Sequence, residues 1–332
     1  MIFSATKFVV FTKQAGMSLV ELMVAMVIGL FLTAGVFTMF SMSSSNVTTT
    51  SQFNQLQENG RIALAIMERD LSQLAFMGDM TGTDFVLGAN AFISPGTVVN
   101  NDCSGGGVNN ASLPNNQPAH FRRLWGYEEG VSGPSFSCLN SVKSNTDVLQ
   151  IKRFIGPNLL PAALSSSSYY AAATSSQVVF FNGGGAVPIL DNARFWEYQH
   201  HIYYIRDDVD GIPILRRRTL TTGNGMNNEE QLVEGIENIR VSYGFDNDGD
   251  DVPDSFLPAE DVTNMMWDNE LFQRLVALKI YVLVRSIQED MTYTNETTYQ
   301  LGDKEIAKPS DHFRRKVMST TVVLENPVLI RS

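Results

Sequence analysis

The stretch that decides the fold is Met17–Phe40, MSLVELMVAMVIGLFLTAGVFTMF, in which Glu21 is the only ionisable side chain. As a helix, this stretch would be about 36 Å long at about 1.5 Å per residue, which is enough to span the hydrocarbon core of a bilayer. The region without other charges is wider still, because Glu21 is the single ionisable residue between Lys13 and Glu58. The sequence therefore predicts a membrane-spanning helix near the N-terminus.

The residues before this stretch predict its orientation. Residues 1–16 contain Lys7 and Lys13 and no acidic residue, and positive charge beside a span keeps that flank in the cytoplasm. A cleaved secretory signal fits less well, because its apolar core is about 7–15 residues long and an Ala-x-Ala-like site follows it. A plain signal anchor explains everything except Glu21, because a carboxylate costs about 2.5–3.5 kcal/mol at the centre of a span.

The residues around Glu21 resemble the processing site of type IV prepilins. In Gly16-Met17-Ser18-Leu19-Val20-Glu21, a basic leader ends in Gly and an apolar helix follows whose fifth residue is Glu. The resemblance implies that a prepilin peptidase cleaves between Gly16 and Met17 and that the new N-terminal Met17 is methylated. It also implies an assembly role for Glu21, which would neutralise the N-terminal ammonium of a neighbouring subunit in a filament. The first mature residue would be Met17, whereas Phe is more common at this position in type IV prepilins.

The chain divides into four predicted regions. They are a prepilin leader (1–16), a transmembrane and filament-core helix (17–42), an amphipathic continuation (43–77) and a β-rich extracytoplasmic domain (78–332). Residues 43–51, SSSNVTTTS, are poor helix formers and predict a bent or partly melted joint. After the joint, apolar residues recur every three or four positions and predict a helix face packed on the chain's own domain: Phe53, Leu56, Gly60, Ala63, Met67, Leu71 and Leu74.

The second half of the chain is rich in β-branched and aromatic residues, which is typical of strands. Asp207–Gly211 predicts a hairpin loop, and the low-complexity piece Leu164–Ser176 predicts an exposed loop. The predicted fold class is α+β and pilin-like, with a long N-terminal helix packed on an antiparallel β-rich domain. The predicted strands are Asp147–Phe154, Gln177–Phe181, Phe195–Ile205, Ile212–Leu220, Asn238–Phe245, Leu275–Val284 and Val317–Leu324.

The only two cysteines, Cys103 and Cys138, lie in a region rich in Gly, Asn, Ser and Asp. If the domain is exported, the oxidising compartment favours a Cys103–Cys138 disulfide over two free thiols. Closing a loop of this length stabilises a fold by about 3–4 kcal/mol in the chain-entropy description. No Cys-x-x-Cys or Cys/His spacing indicates a zinc site.

The segment Asp246–Asp254, DNDGDDVPD, places five carboxylates in nine residues. Asp at positions 1, 3 and 5 of a tight loop is a pattern that converges on Ca²⁺, with a backbone carbonyl at position 7 and a further ligand at position 9. The match to an EF-hand is partial, because Asp251 replaces the glycine at position 6 and Leu257 replaces the glutamate at position 12. A solvated acidic turn is the alternative. The candidate ligands are Asp246, Asp248, Asp250, Asp254 and the backbone of Val252.

Composition and motifs argue against several other functions. The 24 basic and 35 acidic residues give a net charge of −11, which makes nucleic acid an unlikely main partner. The adjacent His200 and His201 would point to opposite faces of a strand, so they cannot hold one metal together. Arg216–Arg218 and Arg314-Arg315 are expected to pair with local carboxylates. The sequence contains no nucleophile elbow, zincin motif, phosphate loop or dinucleotide fingerprint, so we expect no enzyme.

An ordered set of short stretches resembles the PilW-like minor pilins. The resemblance implies a non-enzymatic subunit that primes or caps a type IV pilus by helix bundling with other minor pilins and the major pilin, and that presents its domain to a tip-associated adhesin-like protein. It implies a single-pass protein of the bacterial inner membrane with a periplasmic domain, later found in the pilus (fimbrium) at the cell surface. A type II secretion pseudopilin is the near alternative, and a membrane-anchored extracytoplasmic enzyme is the alternative of another class. The stretches are Leu56–Arg61 with Asp70-Leu71, Thr146–Leu149, Leu232–Asn238, the acidic loop after Tyr243-Gly244, and Arg314-Arg315.

Overall fold

The fold begins with helix α1, Leu19–Leu71, which is 53 residues long. The computed structural model describes residues 16–131 and 133–326, without the side chain of Ser45, so of the predicted leader only Gly16 lies among the described residues. α1 is one continuous helix, and the joint predicted at residues 43–51 is therefore wrong. Extending an existing helix is far easier than nucleating one, and Thr48 and Thr50 each donate a hydroxyl hydrogen bond to the carbonyl four residues earlier.

Helix α1 ends at Leu71, before the predicted end near Met77. Ala75 has a φ of 60° and Gly78 a φ of 59°, which no continuing helix allows. Trp196 packs so closely on Gly78 that a Cβ there would lie 2.5 Å from the indole Nε1. The apolar residues at the end of the predicted stripe are still buried, Leu74 and Met77 included, because a tight turn brings them into the core.

The chain separates into two compact units, with the boundary between Gln52 and Phe53. In the first unit the apolar side chains of α1 are exposed, as Phe31 is at 76%. In the second unit α1 buries the predicted apolar face against the β-rich domain, with Leu56, Ala63 and Met67 all at 0% exposure. The predicted packing of this helix face is confirmed, except that Phe53 stays 39% exposed.

The larger sheet has eight strands and is built around the long strand β6 (Arg194–Asp207). One edge of β6 pairs with β3 along most of its length, while the other edge pairs first with β4 and then with β7. All pairs in this sheet are antiparallel except β1 with β5. The other strands of this sheet are β1 (Ala91–Ile93), β2 (Leu124–Glu128), β3 (Asp147–Leu159), β4 (Tyr169–Ala173), β5 (Val178–Asn182), β7 (Pro213–Thr221) and β8 (Gly225–Glu234).

The second sheet is antiparallel and has the order β10-β9-β11-β14. Of its inner strands, β9 is almost entirely buried and β11 is half buried, and β14 pairs with β11 from Arg285 to Ala277. A small hairpin, β12–β13, and the one-turn helix α2 complete the fold. The bounds are β9 (Ile236–Asp246), β10 (Ser255–Pro258), α2 (Asn264–Trp267), β11 (Arg274–Arg285), β12 (Tyr299–Leu301), β13 (Lys304–Ile306) and β14 (Arg315–Val323).

Each of the seven predicted strands is present, but the exposed loop predicted at Leu164–Ser176 is wrong in its middle and right only at its two ends. Residues Tyr169–Ala173 of that piece form β4, and all of them are buried. Alanine has a low strand propensity, yet Ala171 lies opposite Trp196 on the neighbouring strand. Small side chains are what fit there, because the large aromatic neighbours fill the space.

Candidate functional site

The predicted processing site lies at the start of α1. Gly16, Met17 and Ser18 have no regular secondary structure and are exposed, and the helix begins at Leu19. Ser18 N donates a hydrogen bond of 2.9 Å to Glu21 Oε2, and Glu21 N donates one of 3.2 Å to Ser18 Oγ. This reciprocal pair is a capping box, which satisfies two N–H groups that a helix start otherwise leaves unpaired.

The capping box is a role for Glu21 that our sequence reasoning missed, although Ser-x-x-Glu before an apolar run is its usual sequence signal. It turns the carboxylate back toward the N-terminus of its own chain. The second oxygen, Oε1, has no hydrogen-bond partner among the described residues. Glu21 can therefore cap its own helix through one oxygen and accept a cation from another subunit through the other.

The acidic loop follows β9 and brings three of the four predicted side-chain ligands together. One carboxylate oxygen from each of Asp246, Asp248 and Asp254 lies within 4.8 Å of the others. Asp250 is outside this group, and its Oδ1 accepts a hydrogen bond of 2.8 Å from Val252 N. Asp251, at the position where an EF-hand has glycine, has a φ of 65°, a conformation that Asp adopts more readily than most residues.

The charges in this loop are partly compensated by the protein itself. Asp246 accepts hydrogen bonds from the N–H groups of Gly249 and Asp251 and from Arg274, and these bonds lower the pKa of Asp246 to about 2. The N–H of Asp250 lowers the pKa of Asp248, but repulsion from the carboxylates of Asp250 and Asp254 outweighs it and raises that pKa overall. Three hard oxygen donors whose mutual repulsion is only partly relieved are a suitable donor set for Ca²⁺.

The predicted disulfide between Cys103 and Cys138 is confirmed. Cys103 is fully buried, and the loop that the disulfide closes carries β2 and the aromatic residue Phe136. Phe136 packs edge-on against Trp125 and Tyr127 of that strand. The disulfide thus holds together a region in which regular secondary structure is sparse.

The two adjacent histidines lie on β6 and have separate partners. His200 Nδ1 lies 2.8 Å from Ser112 Oγ, and His201 Nδ1 lies 2.6 Å from Asp70 Oδ2. Both are buried, and burial beside Lys152 holds the pKa of His200 well below its usual value, so that it is neutral. Each histidine therefore links β6 to a different polar group, and the two do not form a joint metal site.

The basic clusters pair with nearby carboxylates as predicted, except that Arg218 donates to Met226 O and Asn227 Oδ1. In the first cluster Arg217 Nη2 donates to Glu230 Oε2 at 2.7 Å, and Arg216 lies 3.5 Å from Glu229. In the second, Arg314 Nη2 donates to Asp290 Oδ2 at 2.7 Å, and Arg315 contacts Glu237 and Asp311.

Sequence reasoning missed the buried polar network around Asp70 in the last turns of α1. Asp70 Oδ1 accepts a 2.6 Å hydrogen bond from Arg153 Nη2, and Oδ2 contacts His201 and the hydroxyl of Tyr203. Burial raises the pKa of Asp70, but the hydrogen bond and charge of His201 and the charge of Arg153 outweigh it, so the pKa is held far below its usual value. A carboxylate beside the apolar helix face was its only sequence signal.

A second network that sequence reasoning missed surrounds Arg240 on β9. The guanidinium is 1% exposed and donates to Glu128 Oε2 at 2.8 Å, Glu260 Oε1 at 2.5 Å and Asp303 Oδ2 at 2.5 Å. It also donates to Asp147 Oδ1 at 3.2 Å. Burial raises the pKa of Asp147 to about 7 despite Arg240.

Two family models match the chain, and between them they cover several of these features. The model described as Prokaryotic N-terminal methylation motif matches residues 11–37, which include Gly16, Met17 and Glu21. The model described as Type IV Pilus-assembly protein W matches residues 202–326, from within β6 to beyond β14. The chain is thus similar to type IV pilin proteins in two separate regions. Comparisons with curated proteins and with solved structures give no match.

Each matched range lies within one of the two compact units, the methylation motif in the first and the PilW match in the second. The methylation motif covers the start of α1, the one described helix that is long and apolar enough to cross a membrane. The PilW match covers the acidic loop, Arg240 and both arginines of the second basic cluster. These pilin-family matches fit a protein anchored in the inner membrane and associated with other pilins and a prepilin peptidase. They point to a structural protein and not to an enzyme.

Proposed function

We propose that this pilin-like protein is a minor pilin that primes or caps type IV pilus assembly. The observation that carries the proposal is the methylation motif on a helix whose first part exposes its apolar residues. Leu30, Phe31 and Phe37 are each at least 70% exposed. A helix that is apolar all round needs lipid or other helices as its surroundings. In a filament core, other helices take the place of the lipid.

The mechanism follows from the start of α1. Cleavage after Gly16 would expose the amino group of Met17, one residue before the capping box of Ser18 and Glu21. Methylated or not, that amino group is a cation, and Glu21 Oε1 is available to an ammonium of a neighbouring subunit. In a helix bundle that excludes water such an ion pair is strong, and it would set the stagger between subunits.

The partners proposed are other minor pilins, the major pilin, the prepilin peptidase and a tip-associated adhesin-like protein. In this proposal the domain from Phe53 onward faces the periplasm and later the cell surface. The Lys7 and Lys13 flank favours that orientation, and a disulfide fits an oxidising compartment. A type II secretion pseudopilin shares these features, and deletion separates the two roles: loss of pili supports the proposal, and loss of secretion with normal pili contradicts it.

The proposal is tested by substituting Glu21→Ala in the full-length protein. We expect normal cleavage after Gly16 but at least a tenfold loss of the protein from sheared pili, because the neighbour's ammonium loses its partner in a low-dielectric bundle. The readouts are immunoblots of the pilus fraction and the mass of the mature N-terminus.

The matched control is Glu68→Ala, an exposed carboxylate later on the same helix, which should leave incorporation unchanged. Wild-type incorporation of Glu21→Ala, or filament protein that still begins at Met1, would contradict the assembly role. A membrane-anchored enzyme would tolerate Glu21→Ala, so this experiment also separates the two classes.

We also propose that the acidic loop binds Ca²⁺ through Asp246, Asp248 and Asp254, with Asp250 and the carbonyl of Val252 as the remaining predicted ligands. The convergence of three carboxylate oxygens within 4.8 Å supports it. The full-length protein in detergent should give binding heat with millimolar Ca²⁺ and a higher unfolding temperature, because a ligand of the folded state stabilises it.

Asp248→Asn should abolish both calcium effects, whereas Asp210→Asn, in the exposed β6–β7 hairpin, should abolish neither. The absence of heat with millimolar Ca²⁺, together with an unfolding temperature that a chelator does not change, would rule out the calcium site.

A further inference from the structure

A cavity of about 260 Å³ lies between β2, the loop after β2 and the segment that contains α2. It shares no residue with the N-terminal processing site or the acidic loop. Its lining includes three aromatic residues and two glutamates: Trp125, Tyr127, Trp267, Glu128 and Glu260.

The aromatic walls are held rigidly by other aromatic residues. Trp125 and Tyr127 have ring centroids 5.2 Å apart, and Phe136 packs edge-on against both. On the opposite side, Trp267 packs edge-on against Tyr243 with centroids 4.8 Å apart. Trp125, Tyr127 and Trp267 are each at most 8% exposed. The aromatic part of the wall is therefore preformed and does not depend on mobile side chains.

The carboxylates of the wall belong to a cluster with too few cations. Arg240 and Lys304 are the two cations, and they face four carboxyl groups, Glu128, Asp147, Glu260 and Asp303. The cluster therefore holds more carboxyl groups than cations. Arg240 binds Glu260 only through Oε1, and Oε2 has no hydrogen-bond partner among the described residues.

A buried hydroxyl without a partner lies beside the same wall. Tyr243 is 0% exposed, and its Oη has no hydrogen-bond partner within the described part of the chain. The hydroxyl lies against Gly126, a lining residue, where a Cβ would come within 2.1 Å of it. A buried polar group without a partner is costly and usually marks a site that another group completes.

We propose that this cavity binds an alkylammonium group, such as the side-chain ammonium of a lysine or a quaternary ammonium. Aromatic faces attract such a cation through their quadrupoles, and the surplus carboxylate charge adds a charge-assisted partner in Glu260. An anion would be repelled by the same carboxylates, and a neutral ligand would leave their charge uncompensated. The site is independent of the proposed pilus role, since the N-terminal segment takes no part in it.

The test uses the fluorescence of the full-length protein in detergent. The chain has three tryptophans, of which Trp125 and Trp267 line the cavity and Trp196 does not, so a Trp196→Phe background reports on the cavity alone. The ligands are N-acetyl-lysine methylamide and choline, with N-acetyl-norleucine methylamide and 3,3-dimethylbutanol as neutral counterparts of similar shape. We expect a saturable fluorescence change with at least one cation and none with its neutral counterpart, and affinity that falls as salt is raised.

Glu260→Gln should weaken cation binding about tenfold, because it removes the charge and leaves the shape. Glu289→Gln, an exposed carboxylate elsewhere, should leave the affinity unchanged. Trp267→Leu should weaken binding by a similar factor through loss of the aromatic face. Equal binding of a cation and its neutral counterpart, no saturable change with either cation, or unchanged affinity in Glu260→Gln would overturn the proposal.

Discussion

At the scale of single residues, the attachment of α1 to the β-rich domain depends on a buried charge. Asp70 is 5% exposed and sits among Arg153, His201 and Tyr203, which come from two strands of the larger sheet. Buried ion pairs add little over apolar packing, but removing one partner leaves the other charge uncompensated. Asp70 therefore fixes where the end of α1 packs on the larger sheet.

Substitution Asp70→Asn should lower the free energy of unfolding at pH 7 by about 3–5 kcal/mol, because Arg153 loses its buried carboxylate. The folded-state pKa of Asp70 lies below its unfolded value, so its stabilisation is complete above the unfolded pKa of about 3.9 and is lost only as pH falls through the folded pKa. The deficit of the variant, measured by urea unfolding, should therefore be the same at pH 5 and pH 7.

The control is Asp79→Asn, whose partner Arg194 is largely exposed, and it should cost less than about 1 kcal/mol. An equally small loss for Asp70→Asn would show that the network does not hold the helix.

At the scale of elements, α1 changes its environment along its length. Its first part exposes its apolar residues, whereas from Leu56 onward one face is buried. The closest approach is at Gly60, where a Cβ would lie 2.5 Å from Met318 Sδ on β14 and 2.9 Å from Val284 Cγ2 on β11. A glycine in a helix interior is unfavourable by about 1 kcal/mol relative to alanine, so close packing against the second sheet accounts for its presence here.

Gly60→Leu should destabilise the fold by about 1–3 kcal/mol, because the added side chain overpacks this contact and the better helix propensity cannot offset it. Met318→Ala in the same chain should recover part of the loss by making room. Gly29→Leu is the matched control, since a Cβ there meets nothing within 4 Å. Denaturant unfolding of the four proteins measures the effect, and a stabilised Gly60→Leu would contradict the close contact.

At the scale of the whole molecule, the Cys103–Cys138 disulfide cross-links the part of the chain that lies between α1 and the strands of the second half. The loop it closes supplies one wall of the aromatic cavity, through Trp125 and Tyr127. Each of the two sheets, in contrast, is held together by its own ladders of backbone hydrogen bonds, and the two share one hydrophobic core. Reduction should therefore affect the loop and the cavity more than the sheets.

Replacing both cysteines by serine should lower the free energy of unfolding by about 3–4 kcal/mol, because the unfolded chain regains the entropy of an open loop of this length. Hydrogen exchange of the folded protein should increase mainly between residues 103 and 138, and β9 and β11 should stay protected. The wild-type protein treated with reductant is the companion sample, and it should lose the same amount. Uniformly faster exchange across both sheets would contradict a local role for the disulfide.

Local patterns were sufficient for much of this fold. The apolar run at Met17–Phe40, the helical spacing after Phe53 and the alternating aromatic strands are properties of short windows, and side-chain periodicity acts over the same range. The two wrong predictions of secondary structure also came from reading short windows of sequence. Residues 43–51 have poor helix propensity but lie inside a helix. Residues 171–173 have low strand propensity but lie in a strand between two others, because tertiary context overrides weak local preferences.

The sequence by itself determined the processing motif, the anchor and the acidic loop, because each depends on neighbouring residues. It also determined the pairing of the two cysteines, because two cysteines can form only one disulfide. Only the tertiary structure decided which charges are buried together. Asp70 meets His201 across 131 residues of chain, and Arg240 meets Asp303 across 63. Such meetings follow from the order in which distant strands pair, and that order is set by the packing of the whole core, which no short window of sequence contains.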